Sequence, residues 1–260
     1  MIIRASDYLP PVDVTFFEFL RSLITADFDL VPDDRLNYRV AFIDAFRRRG
    51  IYPKDGLTET TAAARTLSVE TPRWRPPDRA RCPKHWDAIE RNYTELAAGL
   101  KPYADECLYL NDRGERFTRK TDRQQILKQQ FLDAFKNAPE FAREVGLNPD
   151  HPFDVEELRN AMRIGPDGQS IPQVLISPTQ TVTVRNDGQT FEFPGGSSLI
   201  IDLTVPAVRY CVSKSVDNAS TRKRTAEFLA EARKDPLHAL FFRPDPRRPF
   251  AALHQLSRAL

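Results

Sequence analysis

Cys82 and His85 are the first pair in the chain that could do chemistry, because C-x-x-H is the spacing at which two zinc ligands leave one turn. A closed site needs two more donors. Cys107 and Cys211 lie far off in sequence, His151, His238 and His254 stand singly, and there is no H-E-x-x-H. The sequence therefore predicts no metal ligand set, no cofactor and no catalytic residue. Asp27-Phe28-Asp29 followed by Asp33-Asp34 has the look of a calcium loop, yet position 6 is Pro32 where that loop needs Gly, and position 12 is Tyr38 where it needs Glu. The acidic run reads instead as the stop of one helix and the cap of the next. Gly195-Gly196-Ser197-Ser198 is not the G-x-S-x-G of a nucleophile elbow, and reads as a turn between strands. Neither a P-loop nor a G-x-G-x-x-G is present.

One local surface does carry a recognisable mixture. Arg73, Trp74, Arg75, Arg79, Arg81, Lys84 and Trp86 crowd basic and aromatic side chains into fourteen residues with Asp78 as the only carboxylate. Single-stranded nucleic acid uses such mixtures for phosphate contacts and base stacking. A solvated, proline-rich linker has the same composition, with prolines at 53, 72, 76, 77 and 83.

The elements that would position these groups are mainly helices. Thr15 and Glu18 have the spacing of a capping box, with Val14 and Phe19 placed as a hydrophobic staple. From there Phe16, Leu20, Leu23 and Ile24 repeat on one helical face as far as about Asp27. Asp33-Asp34 can cap a second helix whose stripe is Leu36, Val40, Ile43, Phe42 and Phe46. Gly50 and apolar Ile51 after Arg47-Arg48-Arg49 supply a Schellman stop. The pair makes an αα-hairpin. Helical spacing returns at Trp86, Ile89, Tyr93, Leu96 and Leu100 and is expected to break at Pro102. Further helices are predicted from Thr121 to Lys136, with Ile126, Leu127, Phe131, Ala134 and Phe135 on one face, at 141–145, and from Val155 to Met162 behind an Asp154 cap. After Gly165-Pro166-Asp167-Gly168 the period changes to that of strands at 182–184, 190–193, 198–203 and 208–213. A last helix is expected from Asp217 to Lys234.

The fold class that follows is α+β: a mainly helical amino-terminal two-thirds, a small antiparallel sheet of three to four strands, and a carboxyl-terminal helix. The expected organisation is a hairpin segment at 1–52, a basic linker or loop at 53–83, a helical region at 84–163, sheet plus helix at 164–234, and a proline-rich tail at 235–260. Lys+Arg 38 against Asp+Glu 36 leaves a formal charge of +2, so any basic function must be local. No apolar run reaches the roughly 18 to 20 residues that span a bilayer. Three cysteines at irregular spacing predict reduced thiols, and with no signal peptide in view a cytoplasmic location is expected. Ten glycines and 21 prolines, against usual shares of about 7% and 5%, favour helices joined by proline-rich connections.

Leu9-Pro10-Pro11-Val12-Asp13-Val14-Thr15-Phe16, then Leu23-Ile24-Thr25-Ala26-Asp27, then Val40-Ala41-Phe42 and Ala45-Phe46-Arg47-Arg48-Arg49-Gly50-Ile51, resembles the closing helical segment of fungalysin-like gluzincin metallopeptidases. The resemblance covers residues 2 to 52, about a fifth of the chain. The remainder, including Ile164 to Gln169, Phe193 to Leu203, Val208-Arg209-Tyr210 and Pro249 to His254, is similar to the carboxyl end of large bacterial proteins that carry a gluzincin-like region upstream. In gluzincins the H-E-x-x-H helix and the downstream glutamate ligand precede the matched segment. The resemblance thus implies a non-catalytic carboxyl-terminal region whose partner is a zinc-bearing peptidase half encoded elsewhere. The alternatives left open are an interaction scaffold with no peptidase partner, and a basic module binding RNA or single-stranded DNA through residues 73–86. Oligomeric state is not legible in the sequence.

Overall fold

The computed structural model describes residues 1–51, 72–80, 82–186, 189–232 and 234; Arg81, most of the 53–83 segment and the 235–260 tail lie outside the described residues. In chain order the elements are α1 (Ile2–Ala5), a short 3-10 turn (Ser6–Tyr8), α2 (Phe16–Leu30), α3 (Tyr38–Arg47), α4 (Trp86–Leu108), α5 (Arg113–Asn137), α6 (Pro139–Glu144), β1 (Asp154–Ile164), β2 (Ser170–Asn186), β3 (Gln189–Asp202), β4 (Ala207–Lys214) and α7 (Ala219–Ala232). The four strands form one antiparallel sheet in the order β1-β2-β3-β4. The α+β class with an amino-terminal helical part and a carboxyl-terminal helix is therefore observed.

The described residues divide into two compact units, one within 1–182 and 194–216 and the other within 183–193 and 217–234. In the larger unit the sheet is apolar on both faces, and the alternation of its strands says why. Val174, Ile176, Leu199, Ile201 and Cys211 join the core built by α4, α5 and α6, while Leu175, Ile200, Tyr210 and Val212 join Ala5, Tyr8, Leu23 and Ala26 from the amino-terminal helices. Successive residues point to opposite faces, so three layers result, helices on each side of the sheet. In the smaller unit Asn218 Oδ1 accepts the Thr221 amide at 3.0 Å at the start of α7, and the Arg222 guanidinium lies 5.9 Å from the Phe193 ring centroid.

The αα-hairpin is built as its end signals require. Thr15 Oγ1 accepts the Glu18 amide at 3.3 Å while Glu18 Oε2 accepts the Thr15 amide at 2.7 Å, a closed capping box. Asp34 accepts the amides of Tyr38 and Arg39 at 2.9 and 3.0 Å, which satisfies the first turn of α3. Ile51 N–H to Phe46 O and Gly50 N–H to Arg47 O, with Gly50 at φ 73°, are the two bonds of a Schellman motif. Leu20, Ile24 and Ile43 make the hairpin interface, with Phe17, Phe42 and Phe46 beside them.

Several expectations about faces and limits need correction. Phe16 at 73% and Leu36 at 72% are among the most exposed side chains, and Val40 is exposed too. The buried positions of α3 are Arg39 and Ile43. α2 runs on to Leu30 rather than stopping at Asp27, and α5 begins at Arg113, capped by Asp112 Oδ1 on the Glu115 amide at 2.7 Å. Ile126 faces solvent while Leu127, Phe131 and Phe135 are buried. α4 does not break at Pro102: the missing N–H leaves one carbonyl unpaired, and burial of Tyr103, Ala104 and Cys107 in the next turn offsets it.

The largest departure is β1, read from sequence as a helix. Val155 and Leu158, three residues apart, share the core face, which is a helical spacing. The register explains it: Val155 is opposite Pro178 and Glu157 is opposite Ser177, so Glu156 is an extra residue. A bulge shifts the alternation by one and puts positions i and i+3 on the same side of a strand. β2 is also longer than its sequence signal, because Pro172 and Pro178 lie within it. The glycine pair is inside β3, not in a turn. At Gly196, φ is 147° and a Cβ would come within 2.3 Å of the Pro178 carbonyl oxygen, so only glycine lets β2 and β3 close there.

Candidate functional site

The acidic run 27–34 supplies the anchor points of the larger unit. Asp27 pairs with Arg39 Nε at 2.8 Å, and that guanidinium also donates to the carbonyls of Val31 and Pro32, holding the α2–α3 connection. Arg39 is only 4% exposed, so the pair is shielded from solvent. Asp33 pairs with Arg35 in solvent and Asp34 caps α3. Asp27 and Asp29 lie inside α2 rather than at its stop, Asp33 lies in the connection, and Asp34 serves the first turn of α3; each carboxylate is held by the protein itself.

Asp29 is the most heavily used of them. Its carboxylate accepts the hydroxyls of Tyr8 at 2.8 Å and Tyr210 at 2.9 Å, and takes Arg209 through Nη2 at 2.8 Å and Nε at 3.2 Å. The two rings meet edge to face with centroids 5.5 Å apart. Burial, with the Asp29 charge beside them, raises both tyrosine hydroxyls well above their ordinary range, so they remain donors. The Arg209 guanidinium is held more firmly protonated, first by its hydrogen bonds to Asp29. Asp7, in the turn after α1, is paired with Arg159 and Arg163 of β1. Two carboxylates from the amino-terminal layer thus clamp the two outer strands, β1 and β4. No local pattern announces this, since the partners lie up to 181 residues apart.

The basic and aromatic stretch is dispersed. Trp74 lies in the amino-terminal core with its amide on Thr25 Oγ1 at 2.9 Å and its indole N–H on Ser22 Oγ at 3.3 Å, and the Arg21 guanidinium covers its ring at 3.5 Å. Arg73 stacks on Phe28 at 3.9 Å. Arg79 pairs with Asp87, Arg75 and Lys84 are exposed, and Trp86 packs against the α4–α6 core. Arg81 is outside the described residues. The tryptophan face that a base would need is filled by Arg21. The His85 amide donates to the Cys82 carbonyl at 3.2 Å, and the imidazole Nδ1 lies 3.8 Å from Glu140. Among the described residues no group of three or more His, Cys, Asp or Glu side chains is gathered as for a metal ion.

Among the described residues, concavities lie beside these elements. A groove of about 770 Å³ runs by the α2–α3 connection, where Val31, Leu36 and Tyr38 are exposed. Another of about 490 Å³ lies between α4, α5 and β1, with Tyr103, Cys107, Arg116 and Lys120 on one wall and Glu157 to Met162 on the other. Burial, then the neighbouring Cys107, pushes the Tyr103 hydroxyl up to about 12, so it is a proton donor at neutral pH.

Compared with family models, curated proteins and solved structures, the chain has no match. The geometry must carry the functional reading. Among the described residues no helix is long and apolar enough to cross a membrane.

Proposed function

We propose that the chain is a non-catalytic, partner-binding module of a gluzincin-like protein, which docks on a zinc-bearing peptidase half through the outer side of its helical hairpin. The observation that carries this reading is the exposure of Phe16 on α2 and of Leu36, Tyr38 and Val40 at and before the start of α3. Phe16 stands at the open end of the hairpin and Leu36, Tyr38 and Val40 at its connection, so large apolar side chains are left for a partner to cover at both ends. They fall in the segment whose sequence resembles the closing helices of fungalysin-like peptidases, which in that family follow the zinc-binding residues in the chain. Support also comes from the rigid seating of the hairpin: Asp29 ties α2 to β4, so the docking face is held before a partner arrives.

The test is reconstitution. The purified chain, given zinc and a mixed peptide substrate, is expected to hydrolyse nothing; mixed with a separately expressed gluzincin half bearing H-E-x-x-H from the same genome, it is expected to co-elute and to raise peptidase activity. Phe16→Ser with Leu36→Ser should abolish co-elution while leaving the fold intact. Zinc-dependent, chelator-sensitive cleavage by the chain alone would end the proposal. A complex with a different protein, captured through the same hairpin face, would replace it with a scaffold that needs no peptidase.

A further inference from the structure

β1 is an edge strand of eleven residues, paired with β2 on one side only. Its outer side is closed at both ends and open between them. At the start, the Gln124 amide donates to the carbonyls of Val155 and Glu156 at 2.6 and 3.0 Å, and Lys128 reaches Asp154. At the end, Arg4 Nη1 donates to the Ile164 carbonyl at 3.0 Å. From Glu157 to Arg163 no described residue takes up the outward backbone groups. An unpaired row of N–H and C=O groups is a template for another strand unless charged side chains, Pro, a bulge or a cover blunt it. β1 contains no Pro; its bulge at Glu156 lies at the closed start, Glu157 is paired with Arg159 and Arg163 with Asp7, and Met162 is half exposed.

The open stretch coincides with the groove of about 490 Å³, which is lined by six consecutive residues of β1, Glu157 to Met162. The lining continues onto Pro172 and Gln173 of β2 and onto Leu203, so the hollow runs along β1 and reaches over the sheet beside it. Its far wall is α5, which passes β1 in the opposite direction: Lys128 meets Asp154, Gln124 meets Val155 and Glu156, and Lys120 and Arg116 reach the stretch beyond. Within the groove Glu157 is already paired with Arg159, and Asp105 with Lys101. Lys120, and Arg116 whose guanidinium donates to the Leu110 carbonyl, are cations without a carboxylate among the described residues, and carboxylates are what the groove lacks.

We infer that the groove between α5 and β1 is a strand-addition site for an extended peptide segment with acidic side chains at alternate positions. Backbone pairing to Glu157–Arg163 supplies the register. Alternate residues of a strand repeat about every 6.7 Å, and residues four apart on a helix rise about 6 Å, so successive carboxylates on one face of the segment meet Arg116 and Lys120 in turn. The opposite face of the added strand lies on the side of Ala161, which packs toward the amino-terminal core. This inference does not depend on the gluzincin reading, since it concerns the sheet edge and any protein that supplies such a segment.

The probe is a fluorescein-labelled nonapeptide, Thr-Glu-Val-Glu-Val-Glu-Val-Glu-Thr, compared by fluorescence anisotropy with the same peptide carrying Lys for Glu. The acidic peptide is expected to bind and the basic one not. Arg116→Glu with Lys120→Glu, both on the α5 surface, should weaken binding by at least about tenfold per charge reversed. Asn160→Pro, which blocks the edge, should do the same, and circular dichroism of each variant reports whether it has kept its fold. Equal binding of the two peptides, no binding of either, or binding indifferent to the charge reversal would overturn the inference. So would sedimentation showing a dimer of the chain that Asn160→Pro dissolves, because a second copy would then be the edge's occupant.

Discussion

Arg209 on β4 and Asp29 on α2, 180 residues apart in the chain, form a two-pronged ion pair at 2.8 and 3.2 Å whose carboxylate is almost wholly buried. The tyrosine hydroxyls of Tyr8 and Tyr210 complete its shell. The pair lies where the amino-terminal layer meets the sheet, so it acts on the packing of whole layers. Removing one partner leaves a buried charge or donor unanswered, which costs more than the net worth of the contact.

Asp29→Ala is expected to destabilise the protein by about 3 kcal/mol, since it strands Arg209 and two hydroxyls at once. Tyr8→Phe and Tyr210→Phe each remove one hydrogen bond to a charged acceptor and should cost about 1.5 kcal/mol. Urea denaturation midpoints measure all three. Equal, small losses would mean that the carboxylate is served by solvent.

Stability should fall at alkaline pH through the same cluster. The Tyr8 and Tyr210 hydroxyls are raised above their ordinary value of 10.0 chiefly by burial, so above that pH the unfolded chain releases protons that the folded one keeps. The contribution is complete below pH 10.0 and is lost progressively as pH rises beyond it. Thermal melts taken across that range should show a steeper decline for the native chain than for the Tyr8→Phe, Tyr210→Phe double variant. Parallel declines would sink the assignment.

The cap of α2 offers a smaller, cleaner number. Thr15→Ala opens the capping box and should cost about 1 kcal/mol. Lys214 Nζ lies 3.1 Å from Glu18 Oε2, so Glu18 also ties the helix start to β4. Glu18→Ala is therefore expected to cost more than Thr15→Ala in the same denaturation series. The reverse order would mean that the link to β4 contributes nothing.

Gly196→Ala should be the most damaging single methyl in the sheet. At φ 147° an L side chain is strained, and the added carbon would meet the Pro178 carbonyl oxygen at 2.3 Å. A loss of at least about 3 kcal/mol is expected, read as a fall in soluble yield and in melting temperature. Gly168→Ala, at φ 76° in a turn with open space around it, should cost about 1 kcal/mol.

What was legible in the sequence was legible because its cause is local. Thr15 with Glu18, and Gly50 with Ile51, announce helix ends that neighbouring backbone groups then make. Burial was harder to read where polarity misled. Arg39 belongs to a buried face because Asp27 waits opposite it, and Phe16 belongs to an exposed one. Residues 155–162 have a helical composition, and only pairing with β2 around the Glu156 bulge makes them a strand. The basic stretch at 73–86 looked like one surface because its residues are adjacent in the chain. Trp74 and Trp86 instead enter different cores.

By itself the sequence determined the end signals of the hairpin, the hairpin and the α+β class, which rest on interactions within a few residues; the change to strands comes at Asp154, not near Gly165. Tertiary structure alone decided that Asp29 gathers Tyr8, Arg209 and Tyr210, that a glycine pair lies within a strand, and that β1 presents an open edge beside Arg116 and Lys120. Those facts depend on which distant residues become neighbours, and burial and pairing energies settle that only once the layers have closed.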